Sequence, residues 1–334
     1  MIKKLIKNKK PIPLNSFNHF QSRIYKLYED EIIQDMNIMI KIFPKDYQYI
    51  IVCPHSDDLM GCLQYVKLLC TNDYDVKTCL IYPDAAFGVW DSYANEYAFK
   101  KFGINKKELL VMRGIDINNT MRMIPIKELI RIEEYHLLCS AAGINNVDSM
   151  YNFNFDTRIK NVVYSDSISE DGNIYKYFNA HESEFDSFNN EEIDMILNFI
   201  FFISANKKTV WFIHNPISAS HPQHLITANT FIDCIKSYNI DSRLYLFNST
   251  PIEAENLNVS RENIVGAMHY FTEETLLENL IDINKTSMSQ NHRHGNDHFY
   301  GLQYEKMARI YAKNILPDTN RKYFYAEYIE CIGV

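Results

Sequence analysis

Ile50-Ile51-Val52-Cys53-Pro54-His55-Ser56-Asp57-Asp58 is an apolar run that stops abruptly on an imidazole and two carboxylates. Residues 49–53 carry no charge, the pattern of a strand buried on both faces. In open α/β sheets, ligands bind just beyond the carboxyl ends of such strands, so these side chains arrive where an α/β enzyme keeps its chemistry. A second group lies far downstream. Thr209-Val210-Trp211-Phe212-Ile213 again reads as a buried strand, and a short loop leads from it to His221-Pro222-Gln223-His224. Nitrogen and oxygen donors at one strand end, with a histidine from another, make the donor inventory of a catalytic zinc site with one open position.

These two segments resemble the PIG-L/LmbE family of metal-dependent N-deacetylases. The family pattern is a strand followed by His-Pro-Asp-Asp-Glu, paired with a downstream His-Pro-Asp-His. Here they stand as His55-Ser56-Asp57-Asp58-Leu59 and His221-Pro222-Gln223-His224. Weaker similarities are Arg131-Ile132-Glu133-Glu134 on a helix running toward Ala141-Ala142-Gly143, Phe155-Asp156, Ser289-Gln290 and Tyr325-Ala326-Glu327. The resemblance spans residues 45–334, with gaps.

It implies an α/β fold: a Rossmann-like, mostly parallel sheet flanked by helices. It also implies zinc, or another divalent metal, held by His55, Asp58 and His224. Asp57 is then the general base, His221 the group that stabilises the oxyanion, and Arg131 and Asp156 substrate contacts. The implied reaction is hydrolysis of the acetyl amide of an N-acetylated amino sugar or its conjugate by water activated on the metal. Two alternatives stay open: an amidase acting on a non-acetyl amide, and a catalytically silent sugar-binding homologue. Three departures from the family pattern bear on the choice: Ser56 for proline, Leu59 for glutamate and Gln223 for aspartate.

Each residue also has a plainer reading. Asp57 and Asp58 are good helix caps. His221 and His224, three apart at a helix start, suit a polar surface. Arg131 has Glu133 and Glu134 at hand for an ion pair, and Asp156 suits a turn. His214 and His269, in or beside apolar strands, read as core histidines. His292-Arg293-His294-Gly295-Asn296-Asp297-His298 reads as a rim loop, with a second metal site as its alternative. Phe87, Trp90, Tyr93, Tyr97 and Phe99 either stack on sugar rings or pack an accessory subdomain.

The 334 residues are 46% hydrophobic with a net charge of −8, enough apolar content for a sizeable core and the wrong sign for nucleic acid. Lys3, Lys4, Lys7, Lys9 and Lys10 cluster at the amino end, where a solvated terminus is the simplest account. Residues 1–13 lack the apolar segment of a signal peptide, and the longest apolar stretch, 196–203, is too short to span a membrane. Seven cysteines form no C-x-x-C pair and read as reduced residues in a cytoplasmic protein. The expected organisation is an amino-terminal helical extension (1–44, helical over 17–42) and one domain (45–334) carrying an aperiodic insertion at about 84–124. Within the domain the patterns predict strands at 49–53, 76–82, 147–153, 209–213, 243–247 and 263–268. Helices are predicted at 59–70, 126–142, 191–205, 224–238 and 273–285, with a polar loop at 156–185 that turns at Gly172. The substrate is expected to be a small-molecule or conjugated amino sugar; oligomeric state is not legible.

Overall fold

The computed structural model describes residues 43–83, 89, 91–103, 124–156, 159–161, 163–168, 174–178, 182–216, 219, 221–238, 240, 242–247, 264–273 and 323–332. The helix expected at 17–42, most of the one expected at 273–285, Gly172, Ser289-Gln290 and the His292–His298 segment lie outside these residues.

Strand β1 (Gln48–Cys53) is buried along its whole length, as its uncharged sequence requires. It pairs in parallel with β2 (Asp75–Leu80) on one side, and β2 pairs in parallel with β3 (Met150–Asn152). Two short antiparallel pieces come next. Strand β4 (Ile159–Asn161) pairs with β7 (Glu184–Phe185), and β5 (Tyr164–Ile168) forms a hairpin with β6 (Ile174–Phe178). The region read as a polar loop therefore holds β structure. Its strands are short, and β4 and β7 are mostly exposed, so they lack the apolar alternation that marks a half-buried strand.

The chain then returns to the other side of β1. Strand β8 (Thr209–His214) lies beside β1, and β9 (Ser242–Phe247) beside β8, both in parallel. Strand order thus runs outward from β1 in both directions, and the reversal falls between β1 and β8. A crevice beyond the carboxyl ends of the strands is expected at such a switch point. Beyond β9 the sheet is completed by β10 (Ile264–Glu273) and β11 (Tyr323–Ile332). Strand β11 sits between β9 and β10, antiparallel to both, giving the order β10-β11-β9-β8-β1-β2-β3. No strand was expected at 323–332.

Alternate residues of the buried strands feed two cores. Tyr49, Ile51, Cys53, Val210 and Phe212 face α1 (Leu63–Thr71) and α3 (Ile124–Ala142), which contribute Val66, Leu69, Tyr135 and Leu138. Ile50, Val52, Trp211 and Ile213 face α4 (Asn190–Ser204) and α5 (Pro222–Ser237), which contribute Ile196, Ile200, Phe231 and Ile235. The fold is a three-layer α/β sandwich. Phe43 already belongs to the first core, packed on Tyr49, Tyr65, Phe212 and Tyr245. A capping box opens α4: the Asn189 side chain accepts from Glu192 N–H and the Glu192 carboxylate from Asn189 N–H, both at 2.9 Å.

The segment expected to be aperiodic contains a helix, α2 (Asp91–Phe102). Its inward face is Ala94 and Ala98, packed with Val89, Ile126 and Ile130 into a small core of its own. Alanine at those positions gives little hydrophobic contrast, which hid the period from sequence inspection. Tyr93 and Tyr97 pack against this core, and the Tyr97 hydroxyl donates to Glu133, whereas Phe99 is exposed. Among the described residues, no helix is long and apolar enough to cross a membrane.

Candidate metal centre

The chain leaves β1 at Cys53 and turns at once. The His55 backbone N–H donates to Asp58 Oδ2 (2.6 Å), which folds the carboxylate back under the histidine. A short 3-10 helix over Asp58–Cys62 follows, and neither aspartate is spent on it, since Asp57 makes no side-chain capping hydrogen bond there. At the neighbouring strand, β8 ends on His214 and the chain re-enters the site at His221, the N-cap of α5. His221 Nδ1 accepts from the Gln223 N–H (3.2 Å), and Pro222 occupies the first helical turn, where its missing donor costs nothing. His224 follows within the same turn.

Donor atoms of three residues converge. His55 Nδ1 is 3.0 Å from His224 Nε2 and 3.4 Å from Asp58 Oδ2, and His224 Nε2 is 3.2 Å from Asp58 Oδ1. Tetrahedral coordination with bonds of about 2.0–2.2 Å puts adjacent donors about 3.3–3.5 Å apart. The separations between neighbouring residues come within a few tenths of an ångström of that spacing, with each oxygen of Asp58 facing a different histidine. The donor chemistry, two imidazole nitrogens and a carboxylate, suits zinc, and all three residues are buried. His221 joins the group from the partly exposed side: donor atoms of His55, His221 and His224 all lie within 4.8 Å of one another.

A fourth histidine stands behind. His214, 1% exposed, has its ring centroid 4.3 Å from that of His224, and its Nε2 is 3.7 Å from Asp58 Oδ2. Asp58, His214 and His224 form a second set of possible ligands within 4.8 Å. His214 reads as a core histidine from sequence, and it is deeply buried, against Phe247 (centroids 4.4 Å). The signal that marks it as more is its place: it closes a buried strand at the switch point, as His55 follows one. Burial alone would raise the Asp58 carboxyl. The charges of His224, His214 and His55, with a hydrogen bond from His224, reverse this and hold it well below the ordinary carboxylate range.

Asp57 points elsewhere. Its Oδ1 accepts from Arg131 Nη2 at 2.5 Å, and Arg131 Nη1 reaches Glu134 Oε2 at 3.3 Å. Arg131 and Glu134 are 3% and 4% exposed, so α3 delivers a buried cation between two carboxylates. The ion pair with Glu134 matches the plain reading of Arg131; the pair with Asp57, across 74 positions of sequence, does not follow from helix spacing. Asp156 is exposed and sits at the rim of a hollow shared with Tyr82, Phe185, Phe188 and Gln223. Gln223 itself is buried, and its Oε1 lies 2.7 Å from His55 Nε2. Sequence inspection found no partner for that side chain, because the contact joins the carboxyl ends of two strands far apart in the chain.

No family model matches this sequence, and no curated protein does. Solved structures do. The zinc-inhibited form of the teicoplanin deacetylase Orf2 superposes with a TM-score of 0.52 at 11% identity, covering 86% of this chain and 98% of that one. The N,N'-diacetylchitobiose deacetylase from Pyrococcus horikoshii, bound to an inhibitor, superposes with a TM-score of 0.51 at 13% identity, covering 98% and 95%. A deacetylase of teicoplanin biosynthesis in a complex with bog gives 0.51 at 12%, covering 86% and 98%. This chain shares its fold with these deacetylases, which are of the PIG-L/LmbE type. At these identities the likeness concerns the fold, and the chemistry rests on the site just described.

Proposed function

We propose that this protein is a zinc-dependent deacetylase that hydrolyses the acetyl amide of an N-acetylated amino sugar or its conjugate. The observation that carries the reading is the meeting of His55, Asp58 and His224 donor atoms within 3.0–3.4 Å at the switch point of the sheet. Support for the substrate class comes from the fold, shared with a teicoplanin deacetylase and an N,N'-diacetylchitobiose deacetylase.

His55, Asp58 and His224 would hold the ion, which when bound supplies Lewis acidity and brings the pKa of water toward neutrality. Asp57, ionised beside the Arg131 guanidinium, accepts the proton as water attacks the amide carbon. Arg131 ties down one oxygen of Asp57 and so fixes the plane of the carboxylate. His221 caps α5 through Nδ1, so its neutral ring carries the proton on Nε2 and donates from there to the developing oxyanion. Asp156, exposed beside the hollow it shares with Tyr82, Phe185, Phe188 and Gln223, would accept from hydroxyls of the sugar. Six free cysteines among the described residues suit a reducing, cytoplasmic setting.

The test has two parts. Elemental analysis of purified protein is expected to find about one divalent ion per chain, lost in His224→Ala. A panel of N-acetylated sugars and nucleotide sugars is then assayed for acetate release by the zinc-loaded protein. Metal retained in full by His224→Ala would break the ligand assignment, and a panel without acetate release, on protein that holds its zinc, would refute the deacetylase reading.

A further inference from the structure

We propose that Gln223 is a positioning residue that selects the metal-binding nitrogen of His55. The inference rests on the metal reading above and deepens it. His55 Nε2 and Gln223 Oε1 are 2.7 Å apart, and the two residues are 8% and 3% exposed, so water does not compete for the contact. A carboxamide oxygen can only accept, so the hydrogen lies on Nε2. The neutral ring then has its lone pair on Nδ1, the atom 3.0 Å from His224 Nε2 and 3.4 Å from Asp58 Oδ2. Without an acceptor at Nε2, the hydrogen is free to move to Nδ1, where the carboxylate of Asp58 would receive it and the donor set would lose a member.

One residue orients two histidines. The Gln223 main-chain N–H holds His221 by its Nδ1 at 3.2 Å, while its side chain holds His55 by Nε2. Its position in the first turn of α5, between His221 and His224, ties the α5 motif to the β1 motif. A neutral acceptor does this beside Asp57 and Asp58 without adding a third negative charge. An outer partner of this kind typically changes metal affinity 10- to 100-fold.

The test uses the full chain, stripped of metal, with zinc affinity measured by competition against a chromophoric chelator. Gln223→Leu, matched in size but unable to accept, is expected to weaken zinc binding 10- to 100-fold, and Gln223→Glu to restore it to the wild-type level or beyond. Gln223→Asn, one methylene too short to reach, is expected to behave like the leucine variant and serves if that one fails to fold. Long-range proton–nitrogen NMR of the zinc-loaded wild type is expected to show the His55 hydrogen on Nε2. A purely structural role would leave the leucine and glutamate variants alike in affinity. Zinc affinity in Gln223→Leu or Gln223→Asn within twofold of wild type, or the hydrogen on Nδ1, overturns the proposal while the metal reading stands. A wild-type chain that binds no zinc overturns both.

Discussion

Replacing Arg131 with alanine tests the least visible part of the site. The guanidinium lies 2.5 Å from Asp57 and 3.3 Å from Glu134, and both it and Glu134 are almost wholly buried. Removing it takes from buried Glu134, and from Asp57, 16% exposed in its side chain, the cation they share. Breaking a buried ion pair in this one-sided way costs about 3–5 kcal/mol, a large part of the roughly 5–15 kcal/mol that holds a domain folded. Arg131→Lys keeps a charge but cannot span both carboxylates, and an intermediate loss is expected. The assay is urea unfolding at neutral pH of wild type, Arg131→Ala, Glu134→Gln and the double variant. Because the lost cation and the Glu134 carboxylate are partners, the double variant is expected to be more stable than additivity allows, with a coupling of about 0.5–3 kcal/mol. A single variant within about 1 kcal/mol of wild type, additive with Glu134→Gln, would refute the anchor role. A raised KM with unchanged stability would make Arg131 a substrate contact instead.

Asp57→Asn is expected to keep its metal content by elemental analysis while kcat falls about 10²- to 10⁴-fold, as for loss of a general base; metal lost with Asp57 but kept without Asp58 would exchange the two roles. His221→Ala removes both a helix cap and a donor, so about 0.5–2 kcal/mol of stability should go in urea unfolding. The oxyanion donor adds a loss of about 10²- to 10³-fold in kcat, and a change confined to KM would count against that role. In the metal-free protein Asp58 is held below its ordinary range against the opposing effect of burial. Its contribution to stability is therefore complete above the unfolded value of about 3.9 and drains away as pH falls through the folded one. Below about pH 4 the stability of metal-free wild type should fall more steeply with acid than that of Asp58→Asn, and parallel acid limbs would rule the linkage out.

The buried strands and the donors at their ends are local properties, which is why they are legible in the chain. Uncharged runs at 49–53 and 209–213 carry the pattern of interior strands. Pro54 ends the first run beside His55, and His221 and Pro222 open a helix a short loop after the second, so the side chains that carry chemistry mark themselves by following strands. What tertiary structure decided is which atoms meet. The Arg131–Asp57 pair joins α3 to the turn after β1, and the Gln223–His55 bond joins α5 to the same turn. Both depend on the order in which strands pair, and nothing local encodes that β8 lies beside β1. The same cause hid His214, whose strand-end position acquires meaning only when Asp58 is brought 3.7 Å from it. Helix α2 and strand β11 escaped for a related reason. An alanine face gives little hydrophobic contrast, and the place of β11 between β9 and β10 is set by hydrogen bonds from strands on either side. Period and charge write the elements into the sequence, whereas pairing between distant segments exists only once the chain has closed on itself.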